Sequence, residues 1–147
     1  NYLIPCNLYG IISEKNKKRS HFINDLIFKI INAKKSNLSE INLFGDGTPS
    51  RQFMHGDDLA KIIHQYVNMN LNESFNVAPD WNHSIRELAN IALEVTSSSN
   101  LKLNFDSSKP NGQMRKDLDN TIFKKNIDGY SFISIEEGMK EIYEFYN

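Results

Sequence analysis

Cysteine is nearly missing from this chain. Cys6 stands alone among 147 residues, so no intrachain disulfide can form. That suits a reducing compartment, and the cytoplasm is the expected location. Long apolar runs are missing too: nothing approaches the roughly 20 residues that a membrane-spanning helix needs, and no signal-peptide pattern is present. Charge of one sign is not in excess. The formal net charge is -1, so no general field draws nucleic acid or an anionic membrane, and neither is expected as a partner. Any anion site must be local. No glycine spacing gives GxGxxG or a Walker loop, and no Cys–His set has zinc spacing. His21, His55, His64 and His83 join carboxylates in no metal signature, so no metal is expected. No serine sits in a nucleophile elbow, which leaves a hydrolase without support.

What the chain does contain is an alternation of strand and helix patterns without internal repeats, an α/β or α+β reading. Residues 2–8 read as a short strand, interrupted by Pro5 and stopped near Gly10. A basic loop, "EKNKKR", follows at 14–19. Ser20 is placed to cap a helix whose apolar positions Phe22, Ile23, Leu26, Ile27, Ile30 and Ile31 recur at helical spacing. Lys34 and Lys35 suit the negative end of its dipole. Residues 41–44 form a strand, 52–55 a short extended piece and 59–67 a helix capped by Asp57 or Asp58. Strands are expected at 74–78 and 101–105. Ser84 with Glu87, and Ser134 with Glu137, make capping boxes for two further helices, the second running through Tyr143.

Between the strand at 41–44 and the next helix lies "GDGTPSRQFMHGDDLAK", residues 45–61. Its glycines and proline shape a turn immediately before Arg51. Two other loops carry chemistry: His21 begins a helix, and Lys109, Arg115 and Lys116 lie in "DSSKPNGQMRKD". Free N–H groups at helix starts and a guanidinium fork suit a diphosphate. By residue type alone, His21 reads as a first-turn helix residue. Lys109, Arg115 and Lys116 divide evenly between a solvated loop and a phosphate site. His55 reads as structural, bonded to the nearby turn. Trp81 is open between filling a core gap and facing a base.

"PCNLYG" at 5–10, "SHFINDLI" at 20–27, "FGDGTPSRQFMHGDDLA" at 44–60, "SIRELA" at 84–89 and "FDSSKPNGQMRKDLD" at 105–119 occur in that order. Together they resemble the C-terminal half of the GDP-L-fucose synthase family, within the extended short-chain dehydrogenases/reductases. "SKPNGQMRK" is the most discriminating stretch. The resemblance implies the last part of a Rossmann-type NAD(P)-binding fold plus a smaller substrate-binding α/β domain. It also implies a 3,5-epimerisation of a GDP-4-keto-6-deoxy sugar followed by NADPH-dependent reduction. His21 matches a proton donor near the cofactor, and Pro5, Cys6, Asn7 and Leu8 match the segment beside the nicotinamide. Arg51 matches the diphosphate-binding arginine, with Lys109, Arg115 and Lys116 in a second substrate loop. Phe44 stands where the family has tryptophan, Lys29 where it has a substrate-contacting arginine, and Gly56 where it has valine.

The family's GxxGxxG turn, its Tyr-x-x-x-Lys pair and its cysteine base have no counterparts in this sequence. Residues 1–147 are therefore expected to be a substrate-binding half without the dinucleotide-binding part, bound to a GDP-sugar but inactive alone. NADP would be held mainly by the other half, and the whole enzyme is implied to be a homodimer. Two alternatives stay open: another nucleotide-sugar epimerase or dehydratase, and a non-catalytic binding module.

Overall fold

The computed structural model describes residues 1–13, 21–69 and 71–147. The expected basic loop at 14–19 and the Ser20 cap lie outside these residues.

The first strand pattern is two strands, and Cys6 marks the break. β1 (Leu3–Pro5) pairs in parallel with β6 (Phe75–Val77), and β2 (Asn7–Tyr9) pairs in parallel with β5 (Phe53–His55). Pro5 brings no N–H to a ladder. Cys6 N–H makes the last bond to Val77 O, 3.0 Å, before the chain changes partner. β3 (Glu40–Phe44) pairs in parallel with β8 (Lys102–Asp106) over five residues. Ile41 and Leu43 point inward from β3 and its other residues outward, the alternation of a half-buried strand.

α1 (Phe22–Lys35) buries Ile23, Leu26, Ile27, Ile30 and Ile31. α3 (Ile85–Val95) and α5 (Ile135–Tyr146) begin with the expected capping boxes at Ser84 and Ser134. These three helices pack on one another, and α1 also lies against β3. Full burial of each large aliphatic side chain here is worth about 1.5–3 kcal/mol.

α2 (Gly56–Asn68) corrects one expectation. Its cap is His55, whose Nδ1 accepts from Asp57 N–H at 3.4 Å, and not Asp57 or Asp58. The helix begins at Gly56, three residues before the expected start at Leu59. Asp58 is instead buried and accepts from Tyr130 Oη and Ile133 N, both at 3.0 Å. α4 (Thr121–Asn126) was not anticipated; an Asp119 carboxylate opens it by accepting from Thr121 N–H at 2.8 Å.

Two hydrophobic clusters result. The larger joins α1, α3, α5, β3, Tyr9 and Phe53. The smaller joins Met54, Ile62, Phe75, Val77, Phe123 and Ile127. β2 and β5 divide them, since Tyr9 and Phe53 face the first cluster while their neighbours Leu8 and Met54 face the second. Among the described residues no helix is long and apolar enough to cross a membrane.

Candidate functional site

The glycine turn works first as a docking surface. Gly45 has φ 78°, a left-handed conformation that favours glycine, and a Cβ there would meet Asn111 Oδ1 at 2.3 Å. That same oxygen accepts from Asp46 N–H at 2.8 Å. The Asp46 carboxylate accepts from Thr48 Oγ1 at 2.6 Å and Thr48 N–H at 2.9 Å. The Thr48 hydroxyl, then its amide and Asn111, hold the Asp46 carboxyl down to about 2. The turn also closes the start of α3: Arg86 N–H donates to Gly47 O at 3.0 Å and Ile85 N–H to Pro49 O at 2.9 Å. Arg86 lies 4.0 Å over the Phe105 ring and donates to Asp46 O.

This clamp brings distant segments side by side. β4 (Ser50–Arg51) runs between β7 (His83–Ser84) and β9 (Arg115–Lys116), antiparallel to the first and parallel to the second. Arg51 is thereby the ladder partner of His83 on one side and Lys116 on the other. Its Nη1 donates to Ser50 O at 2.7 Å, and no described carboxylate pairs with it. Gln52 tightens the arrangement. Its buried amide donates to Pro79 O at 3.1 Å and accepts from Leu118 N–H at 2.7 Å, while Gln52 O accepts from Asn7 Nδ2 at 3.0 Å.

Lys116 and His21 line one cleft with Pro5, Cys6, Asn7 and Leu8, a cavity of about 360 Å³ that Ile4 and Leu118 complete. No carboxylate is among its lining residues, and Lys116 is an exposed residue at its edge. Burial pushes the Cys6 thiol up to about 12, which keeps it a neutral thiol rather than a thiolate nucleophile. His21 caps the backbone of α1 without a side-chain cap bond, so its imidazole is not committed to the helix. On its other side His21 borders a second cavity, of about 430 Å³, with Asn24, His55, Asp57 and Glu141. There His55 Nε2 is buried 3.6 Å from Glu141 Oε2. Because Nδ1 accepts from Asp57, Nε2 carries the ring hydrogen.

The remaining expected residues stand apart from that cleft's lining. Lys29 is ion-paired with Asp25 at 3.2 Å, donates to Asn42 O at 3.2 Å and lies 5.9 Å over Phe44. Phe44 is 71% exposed at the end of β3, directly before the glycine turn. Arg115 pairs with Asp117, and Lys109 is exposed on the turn after β8. Gln52 escaped sequence reading, since a polar residue beside an arginine gives no sign of burial.

Residues 2–78 match the NAD dependent epimerase/dehydratase family, more than half of the chain. The chain belongs to that family. Its curated relatives include a GDP-L-colitose synthase from Yersinia pseudotuberculosis, 31% identical over 97% of this chain and 46% of the relative. A probable GDP-L-fucose synthase 1 from Oryza sativa subsp. japonica is 35% identical over 97% and 43%. The GDP-L-fucose synthase of Escherichia coli K12 is 31% identical over 98% and 47%. A GDP-L-fucose synthetase from Naegleria fowleri bound to NADP shares the fold with a TM-score of 0.85 at 24% identity, covering 98% of this chain and 45% of that one. The α/β class and the resemblance to GDP-L-fucose synthases thus both hold. The chain spans about half the length of the curated relatives it matches.

Proposed function

We propose that this chain is the GDP-sugar-binding half of a GDP-L-fucose-synthase-like epimerase/reductase, working in the cytoplasm as part of a homodimer and inactive without a dinucleotide-binding half. The observation that supports the reading is the β4–β9 ladder, in which Arg51 is paired with Lys116, a residue that lines the cleft shared by His21 and residues 5–8, although Arg51 is not itself in that lining. A guanidinium and an ammonium on adjacent strands suit the two phosphates of GDP.

In this reading the diphosphate lies along Arg51 and Lys116, with Lys109 and Arg115 widening the positive rim. Phe44 offers an exposed ring beside the turn, and Lys29, steadied by Asp25, adds a cation next to it. The sugar then reaches His21, which returns a proton to a carbon whose own proton, acidified by the neighbouring 4-keto group, has been taken by a base of the other half. Pro5, Cys6, Asn7 and Leu8 fit one wall of a nicotinamide pocket, being uncharged with the thiol held neutral. When bound beside these residues, NADPH would supply the hydride for reduction at C4. The chain's own contribution is to bind, orient and protonate.

Lys29 and Phe44 support a second reading, a related nucleotide-sugar enzyme with another sugar, because an ammonium lacks the guanidinium's fork. Calorimetric titration of the chain with GDP tests the main reading. Binding is expected, and Arg51→Ala should weaken it about 10- to 100-fold, as loss of a charge-assisted bidentate contact does. Equal affinity in the variant overturns the diphosphate assignment.

A further inference from the structure

His21 starts α1 without a side-chain bond to the helix, yet a proton donor needs a fixed place. Its ring borders both cavities of the candidate site, as Leu8 does. The first turn of α1 holds one residue that helix packing does not explain. Asn24 lies on the buried face with Ile23, Leu26, Ile27, Ile30, Ile31 and Ala33, and it alone among them is polar. It is 2% exposed. Burying an amide is costly unless it is bonded, and asparagine favours a helix less than leucine does. Asn24 therefore acts through its bonds rather than its bulk.

Those bonds run to Gly10. Asn24 Nδ2 donates to Gly10 O at 2.6 Å, and Gly10 N–H donates back to Asn24 Oδ1 at 3.5 Å. One side chain thus serves both backbone groups of the residue just past β2. Gly10 is itself confined. Its φ is 146°, and a Cβ there would lie 3.2 Å from Nε2 of the buried His55 ring. Two residues on, Ile12 N–H donates to Tyr146 Oη of α5 at 2.9 Å. The chain leaving β2 is therefore held by α5 at Ile12 and by α1 at Gly10. His21 precedes Asn24 by three residues, less than one helical turn, and Gly10 follows Leu8 by two. The path from the imidazole to the cleft wall is short, and it passes through the Asn24 amide.

We infer that Asn24 is a positioning residue for His21: its amide clamps the first turn of α1 to the end of β2 and so holds the imidazole against residues 5–8. The inference rests on the proton-donor role proposed for His21. Asn24 touches neither sugar nor cofactor; it fixes the group that does.

NMR of the isotope-labelled 147-residue chain tests this. In the parent, NOEs should link the His21 ring to the Leu8 methyl groups, and the Asn24 Nδ2 protons should exchange slowly with water. Asn24→Leu keeps a branched side chain, raises helix propensity and removes both bonds. It should retain amide protection at Ile27 and Ile30 while the His21–Leu8 NOEs are lost. Asn24→Ala, the second variant, should lose them too. A space-filling role is met by leucine, so NOEs retained in either folded variant overturn the inference. Their absence from the parent, or fast exchange of the Nδ2 protons, also overturns it. Loss of the fold in both variants assigns Asn24 to stability rather than placement, with the same consequence. GDP affinity should be equal in Asn24→Leu and the parent, because Arg51 and Lys116 are untouched. A failed GDP titration with His21–Leu8 NOEs that depend on Asn24 removes only the diphosphate reading. Normal GDP binding with NOEs indifferent to Asn24 removes only the role of Asn24.

Discussion

The cluster under α1, α3 and α5 is mostly aliphatic: Ile23, Leu26, Ile27, Ile30, Leu88 and Ile142 interlock between helices and sheet. The cluster beside β6 and α4 relies on rings, with Phe75, Phe123, Tyr130 and Phe132 tilted against one another at 45–70°. Branched aliphatic chains on helices interdigitate until little space is left. Rings held edge-to-face meet fewer neighbours at their margins, and a cavity lined by Trp81 and Phe132 opens at the margin of the aromatic side. The two halves are joined by β2 and β5, whose alternate residues serve one cluster each, and by Asp58. That carboxylate sits on α2, in the aromatic half, and holds Tyr130 and the backbone just before α5, in the aliphatic half. The cleft lined by residues 4–8, His21 and Lys116 touches this seam at Asn7 and Leu8 of β2.

The comparison can be broken most strongly at Phe123, which is 2% exposed. Phe123→Ala should cost about 3–5 kcal/mol by chemical denaturation, and native-state hydrogen exchange should rise in α4 and β6 more than in α1. Equal acceleration in both would mean that the clusters form one cooperative unit. Asp58→Ala strands the Ile133 amide and the Tyr130 hydroxyl, and about 2–4 kcal/mol of destabilisation is expected. Calorimetry should show its unfolding transition broaden or split, because the tie between the halves is cut. Gly138→Ala sharpens the aliphatic side. A Cβ on this helix glycine would lie 2.3 Å from Tyr9 Oη and 2.7 Å from its ring, so about 1–3 kcal/mol of overpacking strain outweighs any gain in helix propensity. A melting temperature at or above that of the parent would show that the Tyr9 ring has room to move.

The smallest effect belongs to the glycine turn, outside both clusters. The folded chain holds the Asp46 carboxyl at about 2 against an ordinary value of 3.8, so the unfolded chain binds the proton more readily. Asp46 therefore supports the turn fully above 3.8 and progressively less as pH falls toward about 2. The melting-temperature gap between parent and Asp46→Asn should be widest near neutral pH and close across that acid window. A gap independent of pH would show that the charge on Asp46 contributes nothing.

Long periodic elements were legible in the sequence. α1 shows its apolar spacing over several turns, and the Ser84 and Ser134 boxes announce α3 and α5, because each signal is local. β4 and β9 were not legible: two residues carry no period, and their pairing is decided by Asn111 docking on Gly45. α4 has only six residues, too few for an apolar stripe. Asp57 and Asp58 misled because acids before a helix usually cap it, whereas His55 accepts from the helix's second amide, that of Asp57, and Asp58 is held inward by Tyr130 and Ile133. In the candidate site, the family resemblance pointed to Arg51, Lys116 and His21, but the pairing of Arg51 with Lys116 comes from the short β4–β9 ladder, and the burial of Gln52 beside it follows from tertiary packing alone.

Asn111 reaches the amide of Asp46, 65 positions earlier in the chain, and Met114 O accepts from Ser50 N–H at 2.8 Å. Residues 107–114 thus plug into the scaffold through contacts at a few fixed points, with exposed side chains elsewhere along their length. Such a cassette can be exchanged between cousins of this protein, or rewritten by mutation, while the helices beneath it keep their sequence. Under the proposed function, ligand preference can then diverge over generations faster than the architecture that supports it.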